Sequence, residues 1–159
     1  MRPIDDNSLA EALALNNRFA TELSFQTRES FAALVRNAYF AAWTEGREGF
    51  LIAFTEGANY AGANFRWFQT RHERFVYVDR LVVKPEARGA GHARQLYAAL
   101  FAQMDRDARR LVTCEVNSDP PNPASEAFHA RLGFRPVGEA LIDGGAKTVT
   151  YLALERLAG

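Results

Sequence analysis

The chain has 159 residues, 48% apolar and 24% charged, which fits one globular domain over 1–159 with its own core. Lys plus Arg and Asp plus Glu each total 19, so the chain is neutral and lacks the excess of positive charge that nucleic-acid binding needs. One cysteine, Cys114, excludes an intrachain disulfide and a multi-thiolate metal site; no apolar run nears the ~20 residues of a membrane span, and Met1–Asp6 lacks the apolar core of a signal peptide. The expected setting is the cytoplasm, with no nucleic acid and no membrane as partner.

In chain order, Asp6-Asn7-Ser8 caps a helix through Leu9–Leu15. A second helix is predicted from Arg28 to about Asn37, where Phe31, Leu34 and Val35 fall at helical spacing. Ser24-Phe25-Gln26 forms the loop between them. A hairpin follows, 38–44 and 49–55 about the turn Glu45-Gly46-Arg47-Glu48. Residues 57–73 are an aromatic insertion, a short helix or ordered loop with Phe65 and Phe68 one turn apart. The strongest strand signal is 75–84. It runs through the turn Pro85–Gly89 into a helix to about Asp107, striped by Ala93, Leu96, Leu100 and Met104. Another strand is expected over 111–117, then a Pro-rich bend at 118–121. A short helix over 123–132 has Asn122 as cap, proline first and Gly133 as stop. Strands over 134–142 and 147–154 close the chain about Asp143-Gly144-Gly145, and Met1–Ile4 can supply a short leading strand. This is a mixed α/β layer architecture in which the fourth and fifth strands are joined by a helical crossover.

The chemistry centres on Lys84-Pro85-Glu86-Ala87-Arg88-Gly89-Ala90-Gly91-His92-Ala93. Here a buried strand enters a tight turn that opens a helix, with Gly89, Ala90, Gly91 and Ala93 expected in its first turn. Free N–H groups there carry the positive end of the helix dipole and suit a pyrophosphate, with Arg88 adding charge. The glycines can equally serve only to shape the turn. A Walker loop needs a Gly-Lys-Ser/Thr that is absent, and a dinucleotide fingerprint needs a third glycine where Arg94 stands.

Arg88-x-x-Gly91-x-Ala93 resembles the Arg/Gln-x-x-Gly-x-Gly/Ala signature of the GNAT acetyltransferases, and Asn122 to Gly133-Phe134 resembles that family's second motif. Phe75 to Arg80, Cys114 to Asn117 and Pro121-Asn122-Pro123 are similar to a bacterial branch, for which the resemblance supplies no substrate. It implies a GNAT-like α/β fold: a mixed, mostly antiparallel twisted sheet of six to seven strands flanked by about four helices. It implies acetyl-CoA as co-substrate, held by Leu81, Val82, Val83, Arg88, Gly89, Ala90, Gly91, His92, Ala93, Arg94, Asn117, Asn122, Ser125, Phe128 and His129. The acceptor would be an unidentified small-molecule amine, and a homodimer is common in the family. An acyl-CoA-binding module without catalysis is the alternative.

In such an enzyme the amine attacks the thioester directly, and main-chain N–H groups near Leu81 to Val83 meet the developing oxyanion. With an amine pKa near ~10.4, only about one acceptor in a thousand is neutral at pH 7, so a base helps. Asp79 is the expected base, two residues before Leu81 on one strand face if alternation holds. It can instead be a structural carboxylate paired with an arginine. Tyr77 shares its face, and Glu115 is a further candidate. The family's acid is commonly a tyrosine on the short helix, where this chain has His129. Asn122, Ser125 and His129 form one polar stripe at helical spacing. Phe25, Trp67 and Tyr77 are candidate walls of the acceptor pocket. The three histidines, His72, His92 and His129, are too scattered for a metal site, and no metal is expected.

Overall fold

The computed structural model describes residues 1–157. Its strands are β1 (Arg2–Pro3), β2 (Phe40–Trp43), β3 (Gly49–Thr55), β4 (Val76–Val83), β5 (Leu111–Asp119), β6 (Arg135–Ile142) and β7 (Lys147–Glu155). Its helices are α1 (Leu9–Arg18), α2 (Ala20–Leu23), α3 (Arg28–Asn37), α4 (Ala63–Gln69), α5 (His92–Arg106) and α6 (Pro123–Leu132). The seven strands form one sheet in the order β1-β2-β3-β4-β5-β7-β6. Only β4 and β5 pair in parallel, as their helical crossover requires. Six helices, rather than about four, accompany the sheet. Four-residue α2 was not expected, and seven-residue α4 takes the helical of the two forms open to the aromatic insertion.

Strand alternation builds a core on each face of the sheet. On β3, Phe50, Ile52 and Phe54 meet Leu15 of α1, Phe31 of α3 and Phe65 of α4. Leu51 and Ala53 point the other way, onto Leu96, Leu100 and Met104 of α5. Two helices, α3 and α6, are capped by side chains. Thr27 and Ser30 form a reciprocal capping box on α3. Pro123 starts α6 behind the Asn122 cap, and Gly133 stops it in the left-handed region at φ 99°. Gly138 on β6 is required by contact, because a Cβ there would lie 2.4 Å from Cζ2 of Trp67.

Candidate active site

The site begins with a failure of strand pairing. β4 and β5 are joined at only two positions, Val76↔Val112 and Tyr77↔Thr113, although both strands continue well beyond. They part immediately after Tyr77, where a bulge interrupts β4. Ile52 faces Arg80 and Ala53 faces Val78, so Asp79 has no partner across the ladder. The extra residue shifts the alternation. Val78 and Leu81 lie on the α5 face, while Tyr77 and Val82 lie on the other. Asp79 and Leu81 therefore do not share a face, which corrects the expectation from simple alternation.

Beyond the bulge, the main-chain edge of β4 that faces β5 has no ladder partner. The Lys84 N–H donates to the Glu48 carbonyl on the β3 side at 2.7 Å. Alternation then turns the main-chain groups of Leu81 and Val83 towards the gap. A cleft of about 690 Å³ occupies the split and reaches both faces of the sheet. Tyr97, Cys114, Ser125 and His129 border it on the α5–α6 side, and Tyr60, Asn64 and Val149 on the other.

One end of the cleft meets the glycine turn. Gly89 and Gly91 have φ of 81° and 84°, a region open to glycine at little cost, and a Cβ on either would enter open space. α5 starts at His92 with Gly91 as its N-cap, so Gly89 and Ala90 precede the helix rather than forming its first turn. No side chain caps α5, which leaves its first N–H groups free. His92 Nδ1 is buried without a hydrogen-bond partner beside them. Arg88 is exposed in the turn and borders the cleft. An uncapped helix start, an orphaned ring nitrogen and a guanidinium fit a diphosphate, and the unpaired β4 edge fits an amide-bearing extended arm. Asn117, Asn122 and Ser125 also line the cleft, although Asn122 Oδ1 accepts from the Ser125 N–H at 3.2 Å as the α6 cap. Phe128 packs against Tyr97 with the rings tilted at 48° and does not line the cleft.

The floor carries the carboxylates. The Tyr77 hydroxyl lies 2.9 and 2.8 Å from the two oxygens of Glu115. Burial pushes the Glu115 carboxyl up to about 8; the Tyr77 hydrogen bond pulls against this and the Asp79 charge adds to it. Asp79 is engaged otherwise. Its Oδ2 accepts from Arg80 Nε at 2.6 Å and its Oδ1 from the Tyr60 hydroxyl at 2.6 Å. The two charged side chains are 4% and 3% exposed. Arg80 Nη1 then donates to Asn16 Oδ1 at 2.8 Å, and Asn16 Nδ2 to the Ser24 carbonyl at 3.1 Å. Asp79 thus anchors the bulge to α1 and the loop after α2, and its carboxylate is not presented to the cleft as a free base.

His129 is also committed. Its Nδ1 is 2.8 Å from the Ser125 carbonyl, which only accepts, so Nδ1 carries the proton. Nε2 is then the acceptor for the Tyr97 hydroxyl at 2.8 Å. Burial lowers the His129 pKa, with the Ser125 carbonyl opposing, so the ring is neutral at pH 7. Both nitrogens are occupied, and the one hydroxyl hydrogen of Tyr97 is donated to the ring. Sequence patterning does not single out Tyr97, since it falls beside Leu96 on the buried stripe of α5.

Two expected acceptor residues lie elsewhere. Phe25 is 68% exposed and does not border the cleft, although Phe19, Leu23 and Ser24 do. Trp67 stacks on Tyr151 at 4.2 Å, closes over Gly138 and is covered by Arg71 at 3.8 Å. It is a packing residue. The aromatic insertion instead supplies Tyr60 and Asn64, and Tyr77 also lines the cleft.

The model of the acetyltransferase (GNAT) family matches residues 13–134. The chain belongs to the GNAT acetyltransferase family. No curated protein sequence matches it. Among solved structures, the ribosomal-protein-S18-alanine N-acetyltransferase of Escherichia coli is similar at 17% identity and TM-score 0.67, covering 99% of this chain and 94% of that one. Arabidopsis thaliana NAA60 in complex with acetyl-CoA is similar at 16% identity and TM-score 0.72, covering 97% of each chain. A Vibrio cholerae spermidine N-acetyltransferase chimera is similar at 18% identity and TM-score 0.65, covering 97% of this chain and 95% of that one. At these identities the likeness shows a shared fold. Within this GNAT chain, no described helix is long and apolar enough to cross a membrane, and no described group of three or more His, Cys, Asp or Glu side chains is placed to hold a metal.

Proposed function

We propose that this chain is an acetyl-CoA-dependent N-acetyltransferase, with Glu115 as its base and Tyr97 as its proton donor. The observation that carries this reading is the parting of β4 from β5 directly above a carboxyl held near neutrality. Bound acetyl-CoA supplies an acyl group already activated as a thioester. Leu81 and Val83 offer main-chain donors and acceptors to its amide arm and to the carbonyl oxygen on which charge develops. The α5 N-terminus, His92 and Arg88 hold its phosphates. Glu115 receives a proton from the acceptor ammonium, and a base titrating near 8 is matched to that task. The Tyr97 hydroxyl hydrogen, donated to His129 Nε2 at rest, reaches the departing thiolate by turning from the ring into the cleft. The lone, buried thiol of Cys114 suits a reducing compartment, and we place the enzyme in the cytoplasm.

Thiol release from acetyl-CoA in the presence of a broad amine panel tests the reading. Turnover with at least one amine is expected, and Glu115→Gln should lower its kcat/KM by about 100-fold or more. Tight coenzyme binding without turnover on any amine would leave a binding module.

A further inference from the structure

On the face of the sheet opposite α5 and α6, six charged side chains border the cleft: Glu22, Asp79, Arg80, Glu115, Asp143 and Lys147. Both cations are already engaged. Arg80 is paired with Asp79 at 2.6 Å and bonded to Asn16. Lys147 Nζ lies 3.6 Å from Asp143 and donates to the main-chain carbonyl of Thr21. Glu115 and Glu22 have no cationic partner among the described residues. The remaining cation of the cleft, Arg88, sits in the glycine turn with its guanidinium 5.4 Å from the Phe19 ring.

Charge and shape then act together on whatever enters. A carboxylate on this face would meet Glu22 and, in the ionised form in which it acts as base, Glu115, with no unpaired cation among the described residues of the same face to offset them. An ammonium would meet the opposite field. Leu23, Ile142 and Val149 add apolar surface to the same cleft. Lys147 ties β7 to α2 across this side, so a polypeptide would have to thread past or break that bridge while a small molecule need not.

Building on the acetyltransferase reading above, we propose that the acceptor is a small primary amine on an apolar alkyl or aryl body, with no carboxylate beside the amine. In the reaction the N–C bond forms as the C–S bond breaks. The acceptor ammonium gives up two protons in all, one reaching solvent through Glu115 and the other ending on the coenzyme thiol.

The test compares acceptors that share one aryl group: 2-phenylethylamine, phenylalanine, and a lysine-free peptide with phenylalanine at its free N-terminus. The readout is kcat/KM from thiol release. For 2-phenylethylamine it should be at least about tenfold higher than for either competitor. A value for phenylalanine or the peptide that equals or exceeds it overturns the proposal while leaving the transferase reading intact. No release with any of the three overturns the proposal, and the amine panel above then decides separately whether the transferase reading survives.

Discussion

The Tyr77 hydroxyl bridges both carboxylate oxygens of Glu115, at 2.9 and 2.8 Å, from one of the last two positions at which β4 and β5 still pair. The two side chains therefore sit at the apex of the split. A carboxyl fixed there acts on what enters the gap without moving. Because Glu115 titrates near 8, its basic form grows as pH rises through that value. The pH profile of kcat/KM should rise with a limb near 8, separate from the limb of the acceptor amine near ~10.4. Glu115→Gln should remove the first limb and keep the second. Retention of both limbs in the variant would place the base elsewhere.

The same carboxyl makes a prediction for stability. Its folded pKa of about 8 stands above the ordinary carboxylate value, so the folded chain holds a proton that the unfolded chain releases. Stability linked to Glu115 is fully present below the unfolded pKa and is lost as pH rises towards and through 8. Glu115→Gln removes this loss. The melting temperature of the variant relative to the parent should be higher at pH 9 than at pH 4, and no pH dependence in that difference would contradict the assignment.

Asp79 and Arg80 are a buried pair, and removing one partner strands the other. Asp79→Ala should destabilise the chain by about 3–5 kcal/mol in denaturant unfolding. The limb near 8 should survive in whatever enzyme remains folded. Its loss with unchanged stability would make Asp79 the base instead of an anchor.

Tyr97→Phe removes the hydroxyl and keeps the ring that packs on Phe101 and Phe134. kcat should fall by about 10- to 100-fold while coenzyme affinity stays within about twofold. An unchanged kcat in Tyr97→Phe, with a loss in His129→Phe, would return the donor role to His129.

Most of the fold is legible along the chain because glycine, proline and capping residues mark its boundaries. Arg28–Asn37 and Pro123–Leu132 fall where spacing and caps put them. The Asp79 bulge is different in kind. Its neighbours Tyr77 and Leu81 show regular alternation in sequence, and the shift exists only in the pairing with Ile52 and Ala53. Trp67 is hidden for a related reason, since its destination on Gly138 and Tyr151 is set by tertiary contact. The glycine turn is visible because positive φ restricts residue choice locally, whereas Tyr97 carries its function on one oxygen of an otherwise ordinary buried ring.

The most direct measurement is calorimetric titration of coenzyme A into the parent chain and into Arg88→Ala with Gly91→Glu, both checked for folding by thermal unfolding. Gly91→Glu places an anion at the open start of α5, and Arg88→Ala removes the cation beside it. Affinity should drop by about 100-fold or more in the folded variant. Equal affinity in the two proteins would show that the diphosphate of the coenzyme is not held at the start of α5, and the cleft would need another ligand.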